Sequence, residues 1–151
     1  SESNEALELC GAFKNIYAIA CGISEGLGFN SNTRSQLIGL AYHETRVLSK
    51  ALGHRMSTGA IEGIMGDLIL TCSSNQSRNF RFGKLIVSNK VERALKKIAS
   101  TVEGSNNCLS VEYFIKKTRK DIPLAQFIYE TVKNDSPDIV GERFRELIKR
   151  S

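Results

Sequence analysis

The chain has 151 residues, 41% of them hydrophobic and 25% charged, with two prolines and no tryptophan. That is enough for one domain with a buried core, and the composition excludes a disordered or fibrous chain. Lys and Arg exceed Asp and Glu by 21 to 16, but the excess of +5 is scattered and lacks interleaved aromatics; this excludes a nucleic-acid stripe and suits a phosphorylated small molecule.

Leu9, Cys10, Phe13, Ile16, Tyr17, Ile19 and Ala20 recur at helical spacing and predict a helix from about Glu5 to Ile23. Gly26, Gly28 and Asn30 break it. Ser31 or Asn32 then caps a second helix through Leu37, Leu40, Ala41, Val47 and Leu48, ending near Gly53. Ser57 is read as the cap of a short third helix carrying Ile61, Ile64 and Met65 and stopping at Gly66. The run Leu68–Ile69–Leu70 is too short to assign by pattern. Five more helices are predicted over Asn79–Ser88, Val91–Ser100, Ser105–Arg119, Pro123–Lys133 and Asp138–Lys149. Pro123 and Pro137 suit first helical turns. Period-two alternation and tandem repeats are absent, so the class is all-α, with only Asp67–Cys72 in doubt.

Cys10, Cys21, Cys72 and Cys108 have neither C-x-x-C spacing nor a neighbouring His. Buried free thiols are expected, not a metal site or a disulfide framework. No window approaches the ~20 apolar residues of a membrane span and no signal peptide is visible, so the expected location is cytoplasmic. His43 and His54 have no partner pattern, and the Phe80–Phe82 and Phe127–Tyr129 aromatics suit packing.

Four stretches combine polar groups with small or helix-breaking neighbours: GAFKN (Gly11–Asn15), GIMGDLILTC (Gly63–Cys72), SRNFRFG (Ser77–Gly83) and TVEG (Thr101–Gly104). Each alone has an ordinary reading. Lys14 could snorkel, Gly66–Asp67 could be a helix end and a cap, Ser77 could be only a cap, and Glu103–Gly104 a turn. Together they describe a site. A lysine near an aspartate stays charged in a cleft and can pass a proton to a ketone oxygen. Ser77, Arg78 and Asn79 at a helix start are a dense donor set for a phosphate.

The ordered series ELCGAFKN, GLGFNSNTR, GDLILTC, SRNFRFG and TVEG resembles the C-terminal substrate domain of NAD(P)-dependent glycerol-3-phosphate dehydrogenases. The family pattern is close to E-L-C-G-A-L-K-N, G-L-G-x-x-x-N-T, G-x-G-D-L-x-x-T-C and S-R-N-x-x-F-G, and the likeness runs from about Glu8, strongest up to Gly83. The resemblance implies a multi-helix bundle like the 6-phosphogluconate dehydrogenase C-terminal-like domain. It also implies interconversion of dihydroxyacetone phosphate and sn-glycerol 3-phosphate with NAD or NADP. In that likeness Lys14 is the catalytic proton donor and acceptor, and Asp67 orients it and binds the substrate hydroxyl. Asn15 and Thr71 line the substrate pocket, Ser77, Arg78 and Asn79 hold the phosphate, and Arg78, Thr101 and Glu103 approach the cofactor. A metal is not implied.

Two departures stand out. Ile64–Met65–Gly66 replaces the usual G-L-G run before Asp67, and SNNCLSVEYFIKK, after Gly104, differs from the bacterial-type pattern. No G-x-G-x-x-G follows a strand, so residues 1–151 are expected to be the helical substrate domain alone, its Rossmann half absent and the piece inactive by itself. Its partners would then be that half, the triose phosphate and a second copy in a homodimer. A free-standing helical binding module and a related 2-hydroxyacid reductase domain are the alternatives; the former would need none of Lys14, Asp67, Arg78 or Asn79, and the phosphate donors argue against the latter.

Overall fold

The computed structural model describes residues 2–54, 58–73 and 75–151, with the side chains among them except at positions 2–8, 58 and 61. The described residues form nine helices and no strand: α1 (Glu2–Gly26), α2 (Ser31–Ala51), α3 (Thr58–Ser73), α4 (Arg78–Ile86), α5 (Val91–Ile98), α6 (Glu103–Asn107), α7 (Leu109–Thr118), α8 (Pro123–Asn134) and α9 (Pro137–Arg150). The Ser57 cap and the packing of Ile61 lie outside the described residues.

Helix α1 is the axis of the domain and packs against α2, α3, α4, α6 and α8. Its sequence explains why: Phe13, Ile16, Tyr17, Ala18, Ile19, Ala20, Cys21 and Ile23 are all buried, so over these turns apolar or small residues surround the helix and every side finds a partner. The closest partner is α4. A Cβ on Gly22 would fall on the Phe80 carbonyl oxygen and one on Gly83 on the Ile19 carbonyl oxygen, so the two backbones touch where neither has a side chain. That crossing brings the start of α4 beside α1.

A buried carboxylate joins three helices elsewhere on α1. Glu44 of α2, 1% exposed, accepts from the backbone N–H groups of Leu124 at 2.8 Å and Ala125 at 3.1 Å, and from Tyr17 O–H at 3.1 Å. It caps α8, whose N-cap residue Ile122 has no side-chain acceptor. Burial pushes its carboxyl up to about 7, against the pull of those three donors. In a similar exchange, Asp135 at the end of α8 accepts from Val91 N–H at the start of α5, 2.7 Å away.

Several boundaries differ from the sequence reading. The α2 cap is Asn30, whose side chain accepts from Asn32 N and Thr33 N, in place of Ser31 or Asn32. Gly66 does not end a helix: α3 runs on to Ser73 because Leu68 and Cys72, four residues apart, are both buried against the core. One helical glycine costs only about 1 kcal/mol, less than the burial that follows it returns. The predicted Ser105–Arg119 helix is two, α6 and α7, with Cys108 as both the C-cap of the first and the N-cap of the second. Three cysteines are buried and Cys10 is half-buried, all as free thiols.

Candidate functional site

The sequence motifs meet beside the α1–α4 crossing. Lys14 and Asn15 project half-buried from α1, while Leu70 and Thr71 come from the last turn of α3. Gln76 and Ser77 lie in the connection, Arg78 and Asn79 open α4, and Glu103 opens α6. These residues line one open pocket of about 360 Å³.

The α4 end is built to meet an anion. Ser77 is the N-cap, and its Oγ accepts from Phe80 N–H at 3.3 Å. The N–H groups of Arg78 and Asn79, in the first turn, have no acceptor within the helix, and the helix dipole adds partial positive charge there. The Arg78 guanidinium is exposed at this end, and Lys14 supplies a second cation across the pocket. Neither Lys14 nor Arg78 has an ion-pair or hydrogen-bond partner among the described residues. The donor set therefore stands open toward the pocket.

The start of α6 closes one wall. Glu103 Oε2 accepts from Asn15 Nδ2 at 3.1 Å, and the Gly104 N–H donates to Asn79 Oδ1 at 2.8 Å. Gly104 is buried, and a Cβ there would lie 2.7 Å from Asn79 Oδ1, 2.8 Å from the Asn15 carbonyl oxygen and 2.8 Å from Ile19 Cδ1. Val102, 3% exposed, anchors the segment from the other side, and Asn107 Nδ2 reaches the Ala12 carbonyl at 3.4 Å.

Of the residues singled out from sequence, Lys14, Asn15, Thr71, Ser77, Arg78, Asn79 and Glu103 line this pocket together. Asp67 and Thr101 do not. Asp67 is exposed on α3 one turn before Thr71 and forms no ion pair with Lys14; Thr101 is exposed two residues before Glu103. Leu70 and Gln76 line the pocket without having been singled out. Leu70 sits within GDLILTC, but an apolar residue in an apolar run gave no signal of exposure, and it is 70% exposed. Larger surface grooves exist, but that between α8 and α9, about 710 Å³, sets Glu130 and Glu146 against Lys133 and Arg143 and converges on no single ligand charge. Among the described residues no three His, Cys, Asp or Glu side chains gather as metal ligands.

Fold and pocket together define a class: an all-helical domain in which a lysine on the central helix shares a pocket with an open helix start. The chain belongs to the NAD-dependent glycerol-3-phosphate dehydrogenase C-terminus family, whose pattern matches residues 5–139. It is 37% identical over 146 residues to glycerol-3-phosphate dehydrogenase [NAD(P)+] of Halorhodospira halophila, covering 96% of this chain and 43% of that protein. The enzyme of the same name from Baumannia cicadellinicola is 43% identical over 125 residues, covering 82% and 37%. The crystal structure of glycerol-3-phosphate dehydrogenase from Coxiella burnetii superposes with a TM-score of 0.87 at 34% identity, over 96% of this chain and 44% of that one. The chain thus spans less than half the length of these relatives. No described helix is long and apolar enough to cross a membrane.

Proposed function

We propose that this chain is the substrate-binding part of an enzyme interconverting dihydroxyacetone phosphate and sn-glycerol 3-phosphate with NAD(P)H, feeding glycerophospholipid synthesis from a cytoplasmic location. The observation that carries the reading is the convergence of Lys14 with the first turn of α4 in one pocket. A triose phosphate has an acceptor-only anion at one end and a carbonyl in the middle. The open N–H groups of α4, the Ser77 hydroxyl, the Asn79 amide and the Arg78 guanidinium suit the first, and the Lys14 ammonium suits the second.

In this reading Arg78, Ser77 and Asn79 fix the phosphate, which sets the carbon chain in register with Lys14. Lys14 Nζ donates a proton to the C2 oxygen as charge develops there, and takes it back in the reverse direction. Asn15 and Thr71 bound the reacting end. Asp67 is assigned to hold the Lys14 ammonium and the substrate hydroxyl, a role that requires it to approach Lys14 more closely than it stands here. The nicotinamide supplies or accepts the hydride at C2 when bound. Arg78, Thr101 and Glu103 are assigned to approach it; Arg78 and Glu103 stand on the pocket wall, where a cation and an acceptor suit a cofactor edge, while Thr101 lies outside that wall. The described residues hold no strand and no glycine-rich strand–helix turn, so the nucleotide itself needs a Rossmann half outside this sequence.

The test is NADH oxidation by dihydroxyacetone phosphate. The full-length protein is expected to turn over and residues 1–151 alone are not. Absence of turnover with both NADH and NADPH in the full-length protein would overturn the reading, and turnover by the 151-residue piece would overturn the need for a second half.

A further inference from the structure

Two pocket residues are asparagines, and an asparagine can present either a donor or an acceptor to a ligand, depending on which way its amide is turned. Here the protein settles the matter through one contact of each asparagine with the 102–104 segment. Gly104 N–H is a donor, so the Asn79 atom it meets at 2.8 Å must be Oδ1. The Glu103 carboxylate is an acceptor, so the Asn15 atom it meets at 3.1 Å must be Nδ2. These assignments follow from the chemistry of the partners and need no view of the hydrogens. The atoms left over are opposite in kind. Asn79 retains its Nδ2 donors and Asn15 its Oδ1 acceptor, and neither atom has a partner among the described residues.

We infer that the 102–104 segment is a strap that sets the hydrogen-bonding polarity of the pocket, with Gly104 as a positioning residue for Asn79 and Glu103 as one for Asn15. The pocket then offers a donor beside the α4 first turn, where an anion is held, and a bare carbonyl oxygen beside Lys14. A ligand that fits has a phosphate at one end and a hydroxyl at the other. A hydroxyl at the far end can donate to the Asn15 carbonyl oxygen, a bond that a group without a hydrogen to donate cannot make. This deepens the functional reading above and rests on it for the choice of ligand. Gly104 does not itself line the pocket. It acts through its N–H and through the missing Cβ, which lets the strap lie against Asn15, Ile19 and Asn79.

The experiment measures binding of sn-glycerol 3-phosphate and of inorganic phosphate by calorimetry on the full-length protein, for wild type, Gly104→Ala, Asn79→Ala and the double variant. Gly104→Ala should weaken both ligands about tenfold, the loss of one hydrogen bond to a charged group. Added to Asn79→Ala, it should change binding by less than about twofold, because its route to the ligand has gone. An equal loss in both backgrounds overturns the proposal. Should Gly104→Ala not fold, Asn79→Asp replaces it: the carboxylate still accepts from Gly104 N–H but shows the ligand only acceptors, so binding should fall tenfold or more, and wild-type affinity would overturn the strap's role. Should wild type bind neither probe, the functional reading fails and the strap is judged alone, by hydrogen exchange of the Asn15 side-chain amide. Protection in wild type that is lost in Glu103→Ala supports it; equal exchange in the two overturns it.

Discussion

At the Glu44 junction both carboxylate oxygens are bonded within the protein, to two backbone N–H groups and a tyrosine hydroxyl, and the cluster is closed to solvent. In the pocket, the Lys14 ammonium, the Arg78 guanidinium and the first N–H groups of α4 have no such partners among the described residues. Both clusters touch α1, and both include the first N–H groups of a helix. The difference is in hydrogen-bonding capacity: where it is used up internally the cluster holds helices together, and where it is left over it can hold a ligand. Burial alone would have pointed to Glu44, a carboxylate closed inside the core, and missed the pocket.

Removing Lys14 gives the largest contrast. Lys14→Ala in the full-length protein should reduce turnover of dihydroxyacetone phosphate on the order of a hundredfold or more, the worth of a positioned general acid. It should leave urea unfolding within about 0.5 kcal/mol of wild type, since no protein partner is orphaned. Activity within a few-fold of wild type would place Lys14 on the structural side of the comparison.

Glu44 should behave in the opposite way. Its carboxyl titrates near 7 in the folded protein against an ordinary value of 4.5. A raised carboxyl favours the folded state most below pH 4.5, and that contribution is lost as pH rises through 7. Wild-type stability relative to Glu44→Gln should therefore fall by about 3 kcal/mol between pH 4.5 and pH 8, converting that displacement at 1.36 kcal/mol per pH unit. Urea unfolding of both proteins at several pH values reads this directly. A pH-independent difference would show that the two backbone donors and Tyr17 offset the cost of burial and leave the carboxyl titrating as it does in the unfolded chain.

The helix crossing that builds the pocket has its own contrast in α3. Gly22→Ala should destabilise by about 2 kcal/mol, because its Cβ meets the Phe80 backbone, which cannot turn aside. Gly66→Ala, also in a helix but with nothing within 4 Å of its Cβ, should stabilise by roughly 0.5–1 kcal/mol. Thermal unfolding of the pair distinguishes a glycine needed for contact from one that is merely tolerated.

The parts of this arrangement that could be read from the sequence are those encoded locally. The apolar spacing of α1 and α2 and the prolines at the starts of α8 and α9 declare themselves within a turn or two. The donor set at 77–79 is likewise contiguous. What could not be read depends on distant partners. Gly66 resembles a stop until Leu68 and Cys72 are seen against the core, and Glu44 resembles any surface acid of α2 until the start of α8 arrives some 80 positions later. The strap at 102–104 has its meaning only through Asn15 and Asn79. The TVEG stretch marks Glu103 and Gly104 only as a possible turn, and the contacts of Gly104 with Asn15 and Asn79 lie too far along the chain to be read from it.

Ser77 tests the comparison most finely, because it belongs to both sides. Its Oγ accepts from Phe80 N–H as an ordinary N-cap, and that use consumes a lone pair, leaving the hydroxyl proton to donate into the pocket. Ser77→Ala removes both functions: stability should fall by about 1 kcal/mol, and the KM for sn-glycerol 3-phosphate should rise several-fold. Ser77→Asp separates them. Aspartate caps as well as serine, so unfolding should stay close to wild type, but the side chain brings a negative charge and no donor to the place assigned to the phosphate. The KM should then rise well beyond that of Ser77→Ala. If instead KM follows stability through the two variants, Ser77 is a cap and nothing more, and the anion is held by Arg78, Asn79 and the backbone of α4 without it.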